Sequence, residues 1–408
     1  MIKVLSVAIF ISLSISSIFA QRQTIFVNPQ TTDPLIDTFL AQHYVSRTLG
    51  VTQRNQLMVF FPGTGGTPLF YRTFANLASD MGFNAIGLNY VNGSAVNDLC
   101  APTGNLDCYG NVRLEVLDGT DRSDLVSVNR PNSIENRLVK LLIYMRQTDP
   151  SGNWAQYLDA DNQIRWEKIV VAGHSQGGGF SGIIGKNKVV ARVIMFAAMD
   201  FSGSQNSLAN WILASGVTPA SRIFAFGHQQ DEQVNYLLLS TRTWPAYGLD
   251  IFGPPVNVEN VQSPYNNAHS LNSNFQAIPS GSNYHGAIVV DTRFPVNGNG
   301  VSIYEPVWRF LLSSDLNLLL NSVQFRRSGV AVSRPQVGIT TKNYSISIQG
   351  GGFDAASRVV VNGIELATEF VSSVELKANV SAGKFGGVGN SNIRVRNQTG
   401  QLSNPLYF

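Results

Sequence analysis

Charge is scarce in this 408-residue chain: only 13% of its residues are Asp, Glu, Lys or Arg. The 29 basic and 26 acidic residues leave a net charge of +3. If Lys3 leaves with the N-terminal segment, 28 minus 26 gives +2. So weak a balance gives no electrostatic footprint for nucleic acid or for an anionic membrane surface. Cysteine is scarce as well. Two cysteines with no histidine beside them make a poor zinc site, and no metal or cofactor is expected. Beyond the first twenty residues no run is long and apolar enough to span a bilayer, so stable membrane insertion is not expected. The 44% hydrophobic content excludes a disordered polymer and fills a sizeable core. The length suits two domains, or one large domain with an appendage.

The opening segment MIKVLSVAIFISLSISSIFA carries a basic residue, then an apolar stretch, then small residues before Ala20. That is the layout of a secretory signal peptide over residues 1–20. A membrane anchor is the competing reading, but Ser12, Ser14, Ser16 and Ser17 dilute the apolar run. Export to a secreted or periplasmic location implies an oxidising compartment. Cys100 and Cys108, in the polar loop DLCAPTGNLDCYG, are then expected as a disulfide rather than as two free thiols. Such a bridge restricts the unfolded chain by roughly 2–3 kcal/mol. Asn92, Asn343, Asn379 and Asn397 head N-x-S/T sequons, which matter if the host glycosylates.

From Leu57 onward, short apolar runs alternate with helix-like runs. LMVFF, FNAIGLNYV, EKIVVAG, ARVIMFAA and SRIFAFG read as strands that are apolar on both faces. LFYRTFANLASDMG and SIENRLVKLLIYMRQ read as helices, the second with Ile134, Leu138, Leu141, Leu142 and Met145 on one face. YEPVWRFLLSSDLNLLL reads as a closing helix. The alternation predicts a mostly parallel sheet covered on both faces over residues 21–322. Residues 91–132 read as a long irregular insertion, expected at the rim of a site. After Asn321 the pattern becomes short alternating strands broken by Gly and Asn, with an Asn362-Gly363 hairpin signal. This predicts an all-β sandwich over 323–408, with Tyr344, Ile346 and Ile348 facing inward.

The stretch VVAGHSQGGGF, Val170 to Phe180, runs a strand into Gly173, His174, Ser175 and then three glycines. Side chains are stripped from both sides of one serine. A G-x-S-x-G sequence between strand and helix is the setting of a nucleophile elbow, and Ser175 is the candidate nucleophile. The following helix N-terminus adds partial positive charge where an oxyanion would develop. FFPGTGGTP, Phe60 to Pro68, offers a second donor loop. The oxyanion donors are expected to be the N–H of Gln176 and that of Thr64 or Gly65. A serine needs a base and an orienting carboxylate, which follow it in the order acid, then His. Asp231 in GHQQD is the first candidate acid and Asp200 its rival. His285 in SNYHG is the first candidate base, expected within hydrogen-bond reach of Ser175, and His269 is its rival. His43 comes too early, His174 lies inside the elbow with its ring expected to point away from the serine's approach, and His228 lies too near the acid.

These motifs, over Leu57 to Leu319, resemble the α/β-hydrolase fold of secreted serine esterases, lipases and cutinase-like enzymes. The resemblance implies a carboxylic-ester hydrolase that forms an acyl-enzyme and needs no cofactor. Polyester-hydrolysing members commonly carry Met after the serine; Gln176 stands here, which weakens the case for a polyester substrate. CYGNVRLEVLDG together with GHSQGGGF resembles a little-characterised hydrolase group that implies no particular substrate. The tail from IQGGGF through VVVNG to SNPLYF resembles the immunoglobulin-like IPT/TIG domain, which suggests binding of a surface or polymer. A non-catalytic adhesion protein and an amidase or peptidase on the same fold are the other readings.

Overall fold

The protein is described by a computed structural model covering residues 21–202, 207–312, 318–332, 343–372, 374–385 and 391–398, with 400, 402–403 and 406–407. The expected signal peptide lies outside the described residues.

Nine strands form the main sheet: β1 (Gln21–Val27), β2 (His43–Leu49), β3 (Leu57–Phe61), β4 (Asn84–Gly87), β5 (Ile169–His174), β6 (Arg192–Phe196), β7 (Ile223–His228), β8 (Val256–Asn257) and β9 (Ser270–Ser273). Their order is β1-β2-β4-β3-β5-β6-β7-β9-β8. From β4 to β8 every neighbouring pair is parallel. At the other edge β2 pairs antiparallel with both β1 and β4, so β2 alone runs against the rest. The strand LMVFF shows why the central strands read as unbroken apolar runs. Leu57, Val59 and Phe61 belong to one core, Met58 and Phe60 to the core on the opposite face, and all five are fully buried.

Helices α1 (Arg72–Asp80), α2 (Val96–Cys100), α3 (Cys108–Asp118), α4 (Ile134–Thr148), α5 (Gln176–Asn187) and α6 (Glu305–Leu312) join these strands. Helix α4 starts where Ser133 Oγ accepts the N–H of Asn136, a side-chain N-cap. Its stripe Ile134, Leu138, Leu141, Leu142 and Met145 is fully buried, as the periodicity predicts.

Three expectations need correction. Residues 91–132 are not irregular throughout: they contain α2 and the eleven-residue α3. Helix α3 buries Tyr109, Val112, Val116 and also Arg113 and Glu115, so it has no polar face and no periodic signal. The closing helix is described over Glu305–Leu312, the expected residues 313–317 lie outside the described residues, and Leu319 and Leu320, expected in that helix, already belong to a strand of the next sheet, ahead of the boundary expected at 323. Strands β1 and β2 precede the first expected strand. Mostly exposed and rich in polar residues, β1 shows no apolar run.

The C-terminal part holds two antiparallel sheets. One runs β11-β10-β12-β16-β15, from β10 (Leu319–Arg327), β11 (Val330–Val332), β12 (Asn343–Gly351), β15 (Thr368–Ser372) and β16 (Glu375–Ser381). The other runs β14-β13-β17-β18, from β13 (Arg358–Val361), β14 (Ile364–Glu365), β17 (Asn392–Arg396) and β18 (Leu406–Tyr407). Tyr344, Ile346 and Ile348 from the first sheet share one core with Val359, Val361, Ile393 and Val395 from the second. Asn362 and Gly363, both at positive φ (48° and 81°), close the β13–β14 hairpin.

Candidate active site

Parallel strands put their carboxyl ends along one edge, where ligands bind in open α/β sheets. A cavity of about 560 Å³ opens there. It is lined by Thr64 after β3, Ser175 after β5, Asp200 after β6 and Val234 after β7, with His285 facing them.

Ser175 sits between β5 and α5 at φ 55°, ψ −121°, a conformation L-residues rarely adopt. Its glycine neighbours are explained by contact. A Cβ on Gly173 would lie 2.2 Å from the carbonyl oxygen of Gly177, and one on Gly177 would lie 2.0 Å from that of Phe61. A Cβ on Gly178 would meet Ala198 at 2.6 Å, and one on Gly179 would meet the Arg113 guanidinium at 2.3 Å. The glycines therefore let β5, α5, β3 and α3 close around one serine.

His285 lies on a one-turn helix, Tyr284–Ala287, and is 4% exposed. Its Nδ1 is 2.8 and 3.0 Å from the two carboxylate oxygens of Asp231, so Nδ1–H donates and Nε2 keeps its lone pair. The Asp231 carboxylate is 1% exposed and is fixed by the N–H groups of Gln233 and Val234, each at 2.8 Å. Neighbouring Glu232 accepts the N–H of Tyr284 at 3.0 Å and of His285 at 3.2 Å. One acid thus orients the ring and the next holds the backbone beneath it. The expected hydrogen bond from Ser175 to His285 is not formed: Nε2 is buried and has no hydrogen-bond partner among the described residues. In substrate-free sites this contact is commonly loose.

The rivals take structural places. Asp200 accepts from Arg113 Nε at 2.5 Å and Nη2 at 2.6 Å, and from Trp211 Nε1 at 2.9 Å. Arg113 Nη1 also donates to the carbonyl of Gln176 at 2.9 Å, bracing the first turn of α5. His269 is fully buried between the rings of Phe224 and Phe252, at 4.0 and 3.6 Å, and donates from Nδ1 to the Ile223 carbonyl at 2.9 Å. Burial holds its pKa down to about 3. It does not line the cavity.

The two donor candidates in the glycine loop separate. Gly65 N–H already donates to the Asn92 carbonyl at 2.9 Å, whereas Thr64 N–H makes no hydrogen bond among the described residues. Gln176 N–H, in the first turn of α5, is likewise open. Thr64 Oγ1 donates to Gln176 Oε1 at 2.8 Å and joins the two arms. The Asn92 side chain donates to the carbonyls of Gly63 and Gly66 at 2.8 and 2.9 Å. Asn92 is 3% exposed and serves as a loop staple, so its sequon is not a place for a glycan in the folded chain. Asn343 and Asn379 are exposed.

His174 was expected to point away from the site, yet it lines the cavity. Gly63 N–H donates to Tyr71 Oη at 3.1 Å, and Tyr71 lies 3.0 Å from His174 Nδ1. His174 Nε2 is 2.9 Å from the carbonyl of His285. A carbonyl only accepts, so Nε2 carries the proton and the tyrosine hydroxyl donates to Nδ1. Burial keeps this imidazole well below its ordinary pKa, and the neighbouring His285 adds to the effect. Burial also pushes the Tyr71 hydroxyl up to about 12. In the sequence His174 is only the variable position of the elbow, Asn92 shows only as a sequon, Arg113 is one residue of CYGNVRLEVLDG with no role of its own, and nothing local marks Tyr71.

The Cys100–Cys108 disulfide is formed and links the ends of α2 and α3. Ala95, Val96, Asn97, Asp98 and Arg113, on or beside these helices, line the cavity, so the insertion does form part of its rim. No helix among the described residues is long and apolar enough to cross a membrane. No protein-family model matches the chain, and no curated protein matches it either.

Proposed function

We propose that the chain is a serine hydrolase of the α/β-hydrolase fold that cleaves carboxylic esters. The observation that carries the reading is the meeting, in one cavity, of Ser175 at a strained strand-to-helix turn with the His285–Asp231 pair. The chain order Ser, Asp, His and the two open N–H groups of Thr64 and Gln176 support it further.

Ser175 Oγ attacks the acyl carbon and passes its proton to His285 Nε2. Asp231 holds Nδ1–H and stabilises the imidazolium. The tetrahedral oxyanion accepts from Gln176 N–H and Thr64 N–H, and the positive end of α5 lies beneath it. His285 returns the proton to the departing alkoxide, which leaves an acyl ester on Ser175. Water then gives a proton to His285 and attacks that ester, and His285 returns the proton to Ser175 Oγ as the acyl–Oγ bond breaks, releasing the acid and restoring the serine. The disulfide fits an oxidising compartment. The C-terminal sandwich, read as an immunoglobulin-like module, holds the enzyme near an extended surface or polymer.

The test is a fluorophosphonate probe followed by peptide mapping, beside turnover of p-nitrophenyl esters. Ser175 is expected to label, and Ser175→Ala to lose turnover by roughly 10⁶-fold. Ester hydrolysis by Ser175→Ala within about tenfold of the parent would sink the reading.

A further inference from the structure

A second cavity, about 230 Å³, borders the first and shares Val96 and Gln176 with it. Its walls are apolar: Leu99 from α2, Val112 and Val116 from α3, and Val126 and Val128 from the segment that follows. The Cys100–Cys108 bond ties the α2 and α3 walls together. Phe39 stands at its edge, 40% exposed, with its backbone at φ 47°. The Phe39 carbonyl is held by Arg137 Nη1 at 3.1 Å and by the Asn89 side-chain amide. A Cβ on Gly93 would come within 2.8 Å of the Phe39 ring, so the missing side chain lets the ring lie close over Gly93. A strained aromatic held by two donors beside an apolar cavity is a feature of binding sites rather than of plain surface.

The chemistry of the neighbouring site says which part of a substrate reaches this pocket. The ester carbonyl oxygen must face the N–H of Gln176. The leaving alcohol must face His285 Nε2, which protonates it. Val290 and Arg293 line the first cavity along with His285, and neither borders the apolar pocket. The pocket therefore lies on the acyl side. We propose that it takes an unbranched aliphatic acyl chain of the ester. The assignment rests on the serine-hydrolase reading above and adds the substrate class to it.

The test compares two soluble ester series on the full chain. In p-nitrophenyl esters from acetate to hexanoate, kcat/KM is expected to rise by up to about fourfold per methylene while the pocket fills, about 0.8 kcal/mol each. Acetates of ethanol, butanol and hexanol are expected to show a clearly smaller rise. Val112→Phe narrows the pocket and is expected to cut the hexanoate-to-acetate ratio by about tenfold or more. Because Val112 is buried, Ser127→Trp on the exposed rim provides a second variant with the same expected direction. A flat acyl profile in the parent, or an equal rise in both series, overturns the proposal. So does a ratio within about twofold of the parent in both variants. Fluorophosphonate labelling separates the two levels: no label on Ser175 removes the hydrolase reading, while full labelling with a flat acyl profile removes the acyl pocket alone.

Discussion

His174 Nε2 donates to the carbonyl oxygen of His285 at 2.9 Å, and the two rings lie 4.6 Å apart. The residue next to the nucleophile thereby holds the main chain of the proposed base. Through Tyr71 the same imidazole reaches Gly63, beside the open donor of Thr64. One chain of hydrogen bonds spans the elbow, the base and the donor loop.

Tyr71→Phe tests that chain. It leaves His174 Nδ1 and Gly63 N–H buried without partners, and an unmet buried polar group costs about 1–3 kcal/mol. Spread over positioning, this predicts a fall in kcat of roughly tenfold to a hundredfold with KM little changed. Steady-state kinetics on a short soluble ester reads it. A folded variant with kcat within about twofold of the parent means that the chain holds shape only.

His285→Ala and His269→Ala should differ in kind. Loss of His285 removes the proposed proton acceptor and is expected to lower turnover by several powers of ten in protein that remains folded. Loss of His269 removes a ring stacked between Phe224 and Phe252 and is expected to cost about 3 kcal/mol of stability with turnover near normal. The reverse pattern would exchange the two assignments.

Much of this was legible in the chain because its signals were local. The elbow announces itself through glycines that contact geometry demands, and Ile134 to Met145 announce α4 through period. The two-faced apolar strands announce a covered parallel sheet. What stayed hidden depends on distant neighbours. Thr64 and Gly65 are indistinguishable until Asn92, far along the chain, claims the N–H of Gly65. Asp200 and Asp231 both follow strands, and only the buried Arg113 reveals that Asp200 is already paired. Helix α3 was missed for the same reason, since it carries that arginine inward and so lacks a polar face.

Arg113 and Asp200 should behave as a buried pair. Their side chains are 2% and 1% exposed, and the pair supports the turn that begins α5. Arg113→Met strands a buried carboxylate and is expected to cost about 3–5 kcal/mol. Adding Asp200→Leu should recover much of that loss, because the stranded charge is gone. Urea melts of the two single variants and the double variant give the coupling directly. A double variant as unstable as the sum of the singles rules out pairing as the cause.

Stability should fall in acid, and histidine burial sets the direction. Burial holds His43 and His269 down to about 3 and His174 well below its ordinary 6.5. For His43 and His269 the unfolded chain binds a proton between pH 6.5 and 3 while the folded chain does not, so their contribution is complete above 6.5 and lost as pH falls; His174 and His228, also lowered by burial, act in the same direction. At pH 5 this amounts to about 2 kcal/mol each for His43 and His269. Asp291 acts in the opposite sense: burial pushes its carboxyl up to about 6, so its contribution is present in acid and lost as pH rises through 6. It returns about 1 kcal/mol at pH 5, less than the sum from His43 and His269. The urea midpoint of the Ser175→Ala protein is therefore expected to drop clearly from pH 7 to pH 5. His269→Phe keeps an aromatic ring between Phe224 and Phe252 and removes one of these titrations, so its drop should be smaller by about 2 kcal/mol. Equal midpoints at the two pH values in the parent, or an undiminished drop in His269→Phe, would contradict neutral burial of these rings.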